Sequence, residues 1–220
     1  LASTYLDRLG ALDSCAVSDA KDSLGLPAAL SGIGRQSGNG LLVGRVKTVE
    51  LVEGVPAPDK PKVHLGARAI VASDADSVIV VAHPGIDAGA WGGVLSTAAQ
   101  IAGVRGVVLD GPVRDRDEAV GLGFAIFARG TTARTARGRV YEKSTGEPIV
   151  IADQAVVDGD YVIADGSGVA FIQADDIERV LVAAERIAKK EAAMVASVRA
   201  GNAITSVMGE DYENMLEEAK

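Results

Sequence analysis

The sequence predicts a single α/β domain with layered sheets and helices on the outside. Three observations lead there. Two continuous apolar runs, Ser77–Ala82 and Gly106–Asp110, flank a helical stretch from Gly92 or Gly93 to Gly103, the order of a βαβ crossover. Beyond Thr131 the pattern turns to strands alone. From Asp175 onward, Ile177, Val180, Leu181, Ala184, Ile187, Ala188, Val195 and Val198 recur at helical spacing along one long helix. The chain is therefore read as one domain over 1–220, with a C-terminal helical extension over about 175–220.

Each element has its own signal. Leu6, Leu9 and Leu12 predict a short amphipathic helix within 2–12. Ser18 is a candidate cap for a helix over Asp19–Leu24, stopped by Gly25 and Pro27. Gly40 to Val52 is β-rich, and Pro56, Pro58 and Pro61 then mark a loop. His64–Ala72 is expected to be helical. After the crossover strand, Gly111-Pro112 reads as a turn, Asp115–Gly121 as a short helix and Phe124–Phe127 as a strand. Further strands are expected at Arg139–Lys143, Pro148–Ile151, Tyr161–Ala164 and Val169–Ile172, with a turn at Asp165–Gly168. Asp175 would cap the long helix and Gly201 stop it. A final short helix would hold Tyr212, Met215 and Leu216. The far end of the long helix suits either a neighbouring subunit or plain exposure.

Composition narrows the function. Of 220 residues, 48% are hydrophobic, enough for a substantial core. A net charge of −8 argues against nucleic acid as a direct partner, since phosphate binding needs a basic face. Arg129, Arg134, Arg137 and Arg139 form a local basic cluster, either a solvated face or a phosphate or carboxylate site. The single cysteine, Cys15, is expected in the core; no internal disulfide is possible, which suits a reducing cytoplasm. With only two histidines, a structural zinc site is not expected. No run approaches the roughly 20 apolar residues of a membrane span. The first residues lack the charged start and apolar stretch of a secretory signal.

The βαβ unit carries the site. Its two strands run parallel, so the loops after them emerge at one sheet edge, where α/β sheets bind ligands. There Gly92 and Gly93 open a helix whose free amides and positive dipole end suit an anion. Arg114, from the facing loop, would clamp a carboxylate in two places. Asp115 would hold a hard divalent cation such as Mg²⁺. A 2-oxo acid bound this way yields an enolate on retro-aldol cleavage or decarboxylation. The simpler alternative makes Asp115 only the cap of the helix over Arg116–Val120. Asp117 and Glu118 read as first-turn acids that complement the helix dipole, and Asp110 as a partner of turn amides. His64 and His83 suit proton transfer by residue type, or ordinary packing. Trp91 suits either a pocket wall or the core.

Five segments carry a resemblance: Cys15–Ala20 (CAVSDA), Trp91–Ala98 (WGGVLSTA), Gly103–Asp115 (GVRGVVLDGPVRD), Phe127–Thr132 (FARGTT) and Gly159–Gly166 (GDYVIADG). In this order they resemble the family that joins the 4-hydroxy-4-methyl-2-oxoglutarate / 4-carboxy-4-hydroxy-2-oxoadipate aldolases to the RraA-type regulators of ribonuclease E activity. The resemblance implies a layered α/β/β/α fold of the swivelling-domain type, assembled as a homotrimer or homohexamer with the site between subunits. It implies that Arg114 binds and polarises the oxo acid and that Asp115 carries Mg²⁺ or Mn²⁺. The backbone of Gly92, Gly93, Val94 and Leu95 would hold the pyruvyl carboxylate. One departure stands out. The active aldolases carry an acid twenty-one positions before the Arg; here that residue is Gly93, as in the regulator branch. Asp87, His64, His83 or an acid of a neighbouring subunit would have to replace it. The segment Pro56–Lys62 also departs from the family pattern.

Three functions follow as expectations. The first is a divalent-metal-dependent lyase acting on a small 2-oxo acid. The second is a non-catalytic regulator that binds an endoribonuclease rather than RNA. The third is a related enolate-forming isomerase or hydratase.

Overall fold

The computed structural model describes residues 4–58 and 64–209. Two helices, α1 (Tyr5–Leu9) and α2 (Ser14–Ser23), precede β1 (Gly34–Ser37), β2 (Leu42–Glu53) and α3 (Ala67–Val71). The βαβ unit follows as β3 (Ser77–Ala82), α4 (Gly93–Ile101) and β4 (Gly106–Val113), then α5 (Arg116–Leu122) and β5 (Ala125–Thr131). The chain continues through β6 (Val140–Thr145), β7 (Ile149–Ile151), β8 (Gln154–Val156), β9 (Tyr161–Ala164) and β10 (Val169–Ile172). It closes with α6 (Ile177–Arg199) and α7 (Ile204–Val207).

One sheet runs in the order β1-β5-β4-β3-β2-β9-β10, with β6 pairing to β2. β2, β3, β4 and β5 are parallel neighbours, and the remaining pairs are antiparallel. Alternation explains the layers. Ile79, Val81, Val107, Leu109, Ile126 and Ala128 point into a core beneath α3, α4 and α5. Val78, Val80, Val108 and Phe127 point the other way and meet Ile149, Val162 and Phe171 in a second core. The sheet therefore curls until its two flanks face each other. Tyr161, Ile163, Ala170 and Ile172 cover the outer side of β9 and β10 and pack under α1, α2 and α6 in a third core. The fold is thus α/β, layered α/β/β/α, with helices at both ends of the described chain.

Several boundaries differ from the sequence reading. α2 starts at Ser14 because Asp13 caps it, accepting from the Ala16 amide at 2.8 Å. Ser18 lies inside that helix, and its hydroxyl accepts from the Ala29 amide instead. Cys15 is exposed rather than in the core, since it lies on the outer face of α2. The helix expected over His64–Ala72 begins only at Ala67, because Gly66 sits at φ 72, a left-handed geometry that cannot continue a helix inward. Gly111-Pro112 is no turn. β4 runs through it, with a register irregularity between Leu109 and Pro112 that accommodates the missing amide. β1 (GRQS) and β8 (QAV) have no counterpart in the sequence reading, because neither carries an apolar run. A 3-10 turn, Ala174–Asp176, replaces the expected Asp175 cap. The helix anticipated around Tyr212, and part of the Pro56–Lys62 segment, lie outside the described residues. No helix among the described residues is long and apolar enough to cross a membrane.

α2 also buries a charge. Lys21 is 3% exposed, and its ammonium donates to the Phe171 carbonyl. Burial lowers its pKa from 10.5 to about 8, against the pull of Asp22, Asp176 and Asp160. Below about pH 8 the lysine is protonated in both states, so the cost of burying its charge is present in full. Between pH 8 and 10.5 the folded protein has shed a proton that the unfolded chain still binds, so stability rises with pH. In a melting series across that window, the rise expected of the wild type is absent from Lys21→Met. An equal rise in the variant would assign it to other groups.

Candidate functional site

The site forms where β3 and β4 end. Ala90 donates to the Pro112 carbonyl at 2.9 Å, and Arg114 donates to the Trp91 carbonyl at 2.9 Å. Trp91 and Val113 form a further parallel bridge. These bonds zip the segment before α4 to the end of β4, so Gly92 and Gly93 are brought beside Arg114 and Asp115.

Trp91 is the anchor of this corner. It is 2% exposed, and its indole donates to Ser96 Oγ at 3.1 Å; Ser96 in turn donates to the Gly92 carbonyl at 3.1 Å. Its ring lies against Gly66, where a Cβ would come within 2.7 Å. Trp91 therefore belongs to the core and is not a pocket wall. Glu142 supports the same corner from beneath, accepting from the Gly66 amide at 2.6 Å and from Arg68 Nε at 2.7 Å.

Asp115 adopts a left-handed backbone, φ 55 and ψ 38, which Asp tolerates better than most residues. This single residue turns the chain from β4 into α5. Its side chain makes no capping bond to α5. Instead, Oδ2 accepts from the Gly93 amide at 3.0 Å. Asp115 is thus the N-cap residue of α5, with its carbonyl accepting from the Ala119 amide at 3.2 Å, but its side chain serves the helix across the corner and not its own. Asp115 remains exposed.

Arg114 lays its aliphatic stem over Gly89, where a Cβ would sit 2.5 Å from both Cγ and Cδ. Its Nε is buried and has no hydrogen-bond partner. Gly92 is half-buried and Gly93 buried. Val94 projects into solvent at 83% exposure, whereas Leu95 enters the core, so both can reach a ligand only through their backbones. Their amides are first-turn donors that a helix leaves without intrahelical partners. The structure thus brings together Gly92, Gly93, Val94, Leu95, Arg114 and Asp115.

The other candidates stand apart or are occupied. Asp110 accepts from the Ala152 amide at 3.0 Å and pairs with Arg129. Asp87 accepts from Thr132 Oγ1 at 2.6 Å and pairs with Arg134 at 3.0 Å. Two members of the basic cluster are thereby matched to acids. His83 lies against Gly111, and its Nδ1 accepts from the Gly85 amide at 3.2 Å. Burial pushes its pKa below the ordinary histidine value, with a backbone hydrogen bond at Ala88 and the charge of Asp110 pulling the other way. His64 is exposed and contacts the Leu65 carbonyl at 3.4 Å. Among the described residues, no hydrogen bond or ion pair joins either histidine to Arg114 or Asp115.

Sequence reasoning missed two contributors. Gly89 clears the bed for the Arg114 stem, and no local pattern marks it. Glu118 does occupy the first turn of α5 as expected, yet its carboxylate reaches across to Gly93 and fills the volume a side chain there would take. Its spacing of three from Asp115, which places both on one face of the turn, was the available signal.

The donor set suits a hard cation. Carboxylate oxygens are what Mg²⁺ or Mn²⁺ prefers, and Mg²⁺ usually takes one or two from protein, with water or substrate on its other positions. Among the described residues no group of three or more His, Cys, Asp or Glu could enclose a metal by itself.

Known proteins share this architecture. The RraA-like (Aldolase/RraA) family profile matches residues 14–171. Protein DlpA of Legionella pneumophila is 27% identical over 94% of this chain, but the match covers 33% of DlpA, so the chain spans about a third of that relative's length. A Halalkalibacterium halodurans protein, provisionally named a 4-hydroxy-4-methyl-2-oxoglutarate aldolase, is 27% identical over 83% of this chain and 82% of its own. Among solved structures, a Pseudomonas syringae protein superposes with a TM-score of 0.84 at 27% identity, covering 95% of this chain and 98% of that one. Streptomyces coelicolor RraAS2, described as an unusual member of the RNase ES inhibitor RraA family, gives 0.76 at 20% identity over 87% and 95% of the two chains, a likeness of fold alone.

Proposed function

Because this chain belongs to the RraA-like family, we propose that it is a divalent-metal-dependent lyase that cleaves or decarboxylates a small 2-oxo acid. One observation carries the reading: the left-handed Asp115 swings its carboxylate to the start of α4, beside an Arg114 whose buried Nε is without a partner. Asp115 would hold Mg²⁺ or Mn²⁺, which when bound supplies a Lewis acid for the keto group. Arg114 binds the substrate as a fork, and its fixed charge stabilises the enolate as the C–C bond breaks. The amides of Val94 and Leu95 orient the carboxylate. Cleavage expels CO2, or a carbonyl fragment whose hydroxyl gives its proton to water, and leaves the bonding electron pair on carbon 3, delocalised onto the keto oxygen; a proton from water then adds to that carbon and pyruvate is released. Asp115 and Val94 lie open on the surface, which suits a site completed by a neighbouring subunit of a homotrimer or homohexamer.

The test is pyruvate release from oxaloacetate by the wild-type protein, with Mg²⁺ and with EDTA. Release that requires the metal is the expected result. A specific observation favours a second reading, a non-catalytic regulator of an endoribonuclease: Asp115 already takes up the Gly93 amide, leaving less of the anion cradle free. The net charge of −8 also suits a protein partner better than RNA. No release in the presence of Mg²⁺ would favour that reading.

A further inference from the structure

A cavity of about 180 Å³ opens between α2, β10 and the β7–β8 hairpin. Its floor is buried: Lys21, Asp160, Phe171 and Ile172 are between 1% and 5% exposed. Its rim is open, since Pro27, Asp153 and Gln173 are exposed. The Lys21 ammonium lies at this floor. Its acceptor, the Phe171 carbonyl, and two of the three acids that pull on it, Asp160 and Asp176, belong to residues of the cavity wall; the third, Asp22, is its neighbour on α2. An ammonium carries three donors. Among the described residues Lys21 uses one, and no ion pair engages it. A buried charge without a full set of partners is costly, and the cost favours the neutral, nucleophilic amine. At pH 7 about a tenth of an amine of pKa about 8 is free, against less than about a thousandth of an ordinary lysine. Desolvation in a pocket of this kind is what activates imine-forming lysines. The wall also selects by charge. Asp160 is fixed by the amides of Val157 at 2.9 Å and Ala174 at 3.1 Å, Asp176 is paired with Arg179, and Asp153 stands at the rim. Three carboxylates around one lysine repel an anion and retain a cation.

We propose that Lys21 is an imine-forming lysine, and that the cavity above it takes a small uncharged aldehyde or ketone. The proposal does not rest on the lyase reading. Lys21 first gives a proton to solvent. Its nitrogen lone pair adds to the carbonyl carbon, the π pair of the C=O bond moves to oxygen, and a proton passes from nitrogen to that oxygen. The hydroxyl then takes a proton from solvent and leaves as water, while the nitrogen lone pair forms the C=N bond. In sum, ammonium and carbonyl compound give a protonated imine and one water, with no change of charge. Asp22, Asp160 and Asp176 therefore face a cation in the product as they do in the free protein.

The test is reductive trapping by acetaldehyde and sodium cyanoborohydride at pH 7, whose hydride converts the imine to a stable secondary amine. Peptide mass spectrometry reads each lysine, with the exposed Lys143 as internal reference. Lys21 is expected to be alkylated about tenfold or more faster than Lys143, its larger free-amine fraction outweighing the shelter of the cavity. Its rate should saturate with acetaldehyde, as a filled site requires. Glyoxylate, an aldehyde that carries a carboxylate, should reverse the preference and label Lys143 first. Ala155→Trp, at an exposed position of the cavity wall, should slow Lys21 and leave Lys143 unchanged, with a melting curve to verify the fold. Slower labelling of Lys21 than of Lys143 by acetaldehyde overturns the proposal. So does a Lys21 rate that stays linear in acetaldehyde or that Ala155→Trp leaves untouched, since either means that the cavity holds no carbonyl compound. A preference of Lys21 for glyoxylate would overturn the uncharged ligand class. None of these outcomes bears on Arg114 or Asp115, so the lyase reading stands or falls separately.

Discussion

Replacing Arg114 with alanine is expected to abolish oxalate binding in the presence of Mg²⁺, a loss of about a hundredfold or more, while the protein still folds. The magnitude follows from the chemistry. A guanidinium that grips a carboxylate through two parallel bonds in a partly desolvated corner contributes roughly 3 kcal/mol, and about 1.4 kcal/mol is a factor of ten. The fold should survive because Arg114 sits at the end of β4, with its backbone held by the Trp91 carbonyl whatever its side chain. Its stem covers Gly89, so truncation removes some packing, with a cost of about 1 kcal/mol. Arg114→Lys keeps the charge but not the fork and should recover only part of the affinity. Calorimetric titration with oxalate measures all three proteins. Retained affinity in Arg114→Ala would remove the clamp from the mechanism.

The largest effect on stability is expected from Phe127→Ala, a loss of about 3–5 kcal/mol. Phe127 is fully buried between the facing flanks of the curled sheet, among Val80, Val108 and Phe171. The Arg35 guanidinium also stacks 4.9 Å from its ring centroid. Truncation leaves a cavity that two hydrogen-bonded sheet flanks cannot close by moving together. Denaturant unfolding should show a lowered midpoint with an unchanged slope, and the melting temperature should fall by roughly 10 °C. A loss below about 1 kcal/mol would mean the two flanks do not share the tight core described here.

Much of this organisation is legible in the residues. Ser77–Ala82 has the bounds of β3 as read, because a strand buried on both faces leaves an uninterrupted apolar run. α4 and the start of β4 were equally clear, and they place Gly92, Gly93 and Arg114 at one sheet edge by connectivity alone. β8 is invisible because Gln154-Ala155-Val156 lacks the apolar β-branched run that marks its equally short partner β7, and only pairing with β7 makes it a strand. The Gly111-Pro112 pair misled because a proline normally ends a strand; here a register irregularity admits it.

The sequence by itself determined the α/β class, the crossover and which residue types meet at its edge, since strand and helix periods and short connections are local properties of the chain; the α/β/β/α layer order came only from the family resemblance. Only the tertiary structure decided what those residues do to one another. It gave the Asp115 carboxylate to the Gly93 amide rather than to its own helix, set the Arg114 stem on Gly89 and stood Glu118 in the space over Gly93. Such contacts depend on ångström-scale placement of side chains from separate elements, and the free energy that fixes them comes from the packed cores of the whole domain, which no local pattern encodes.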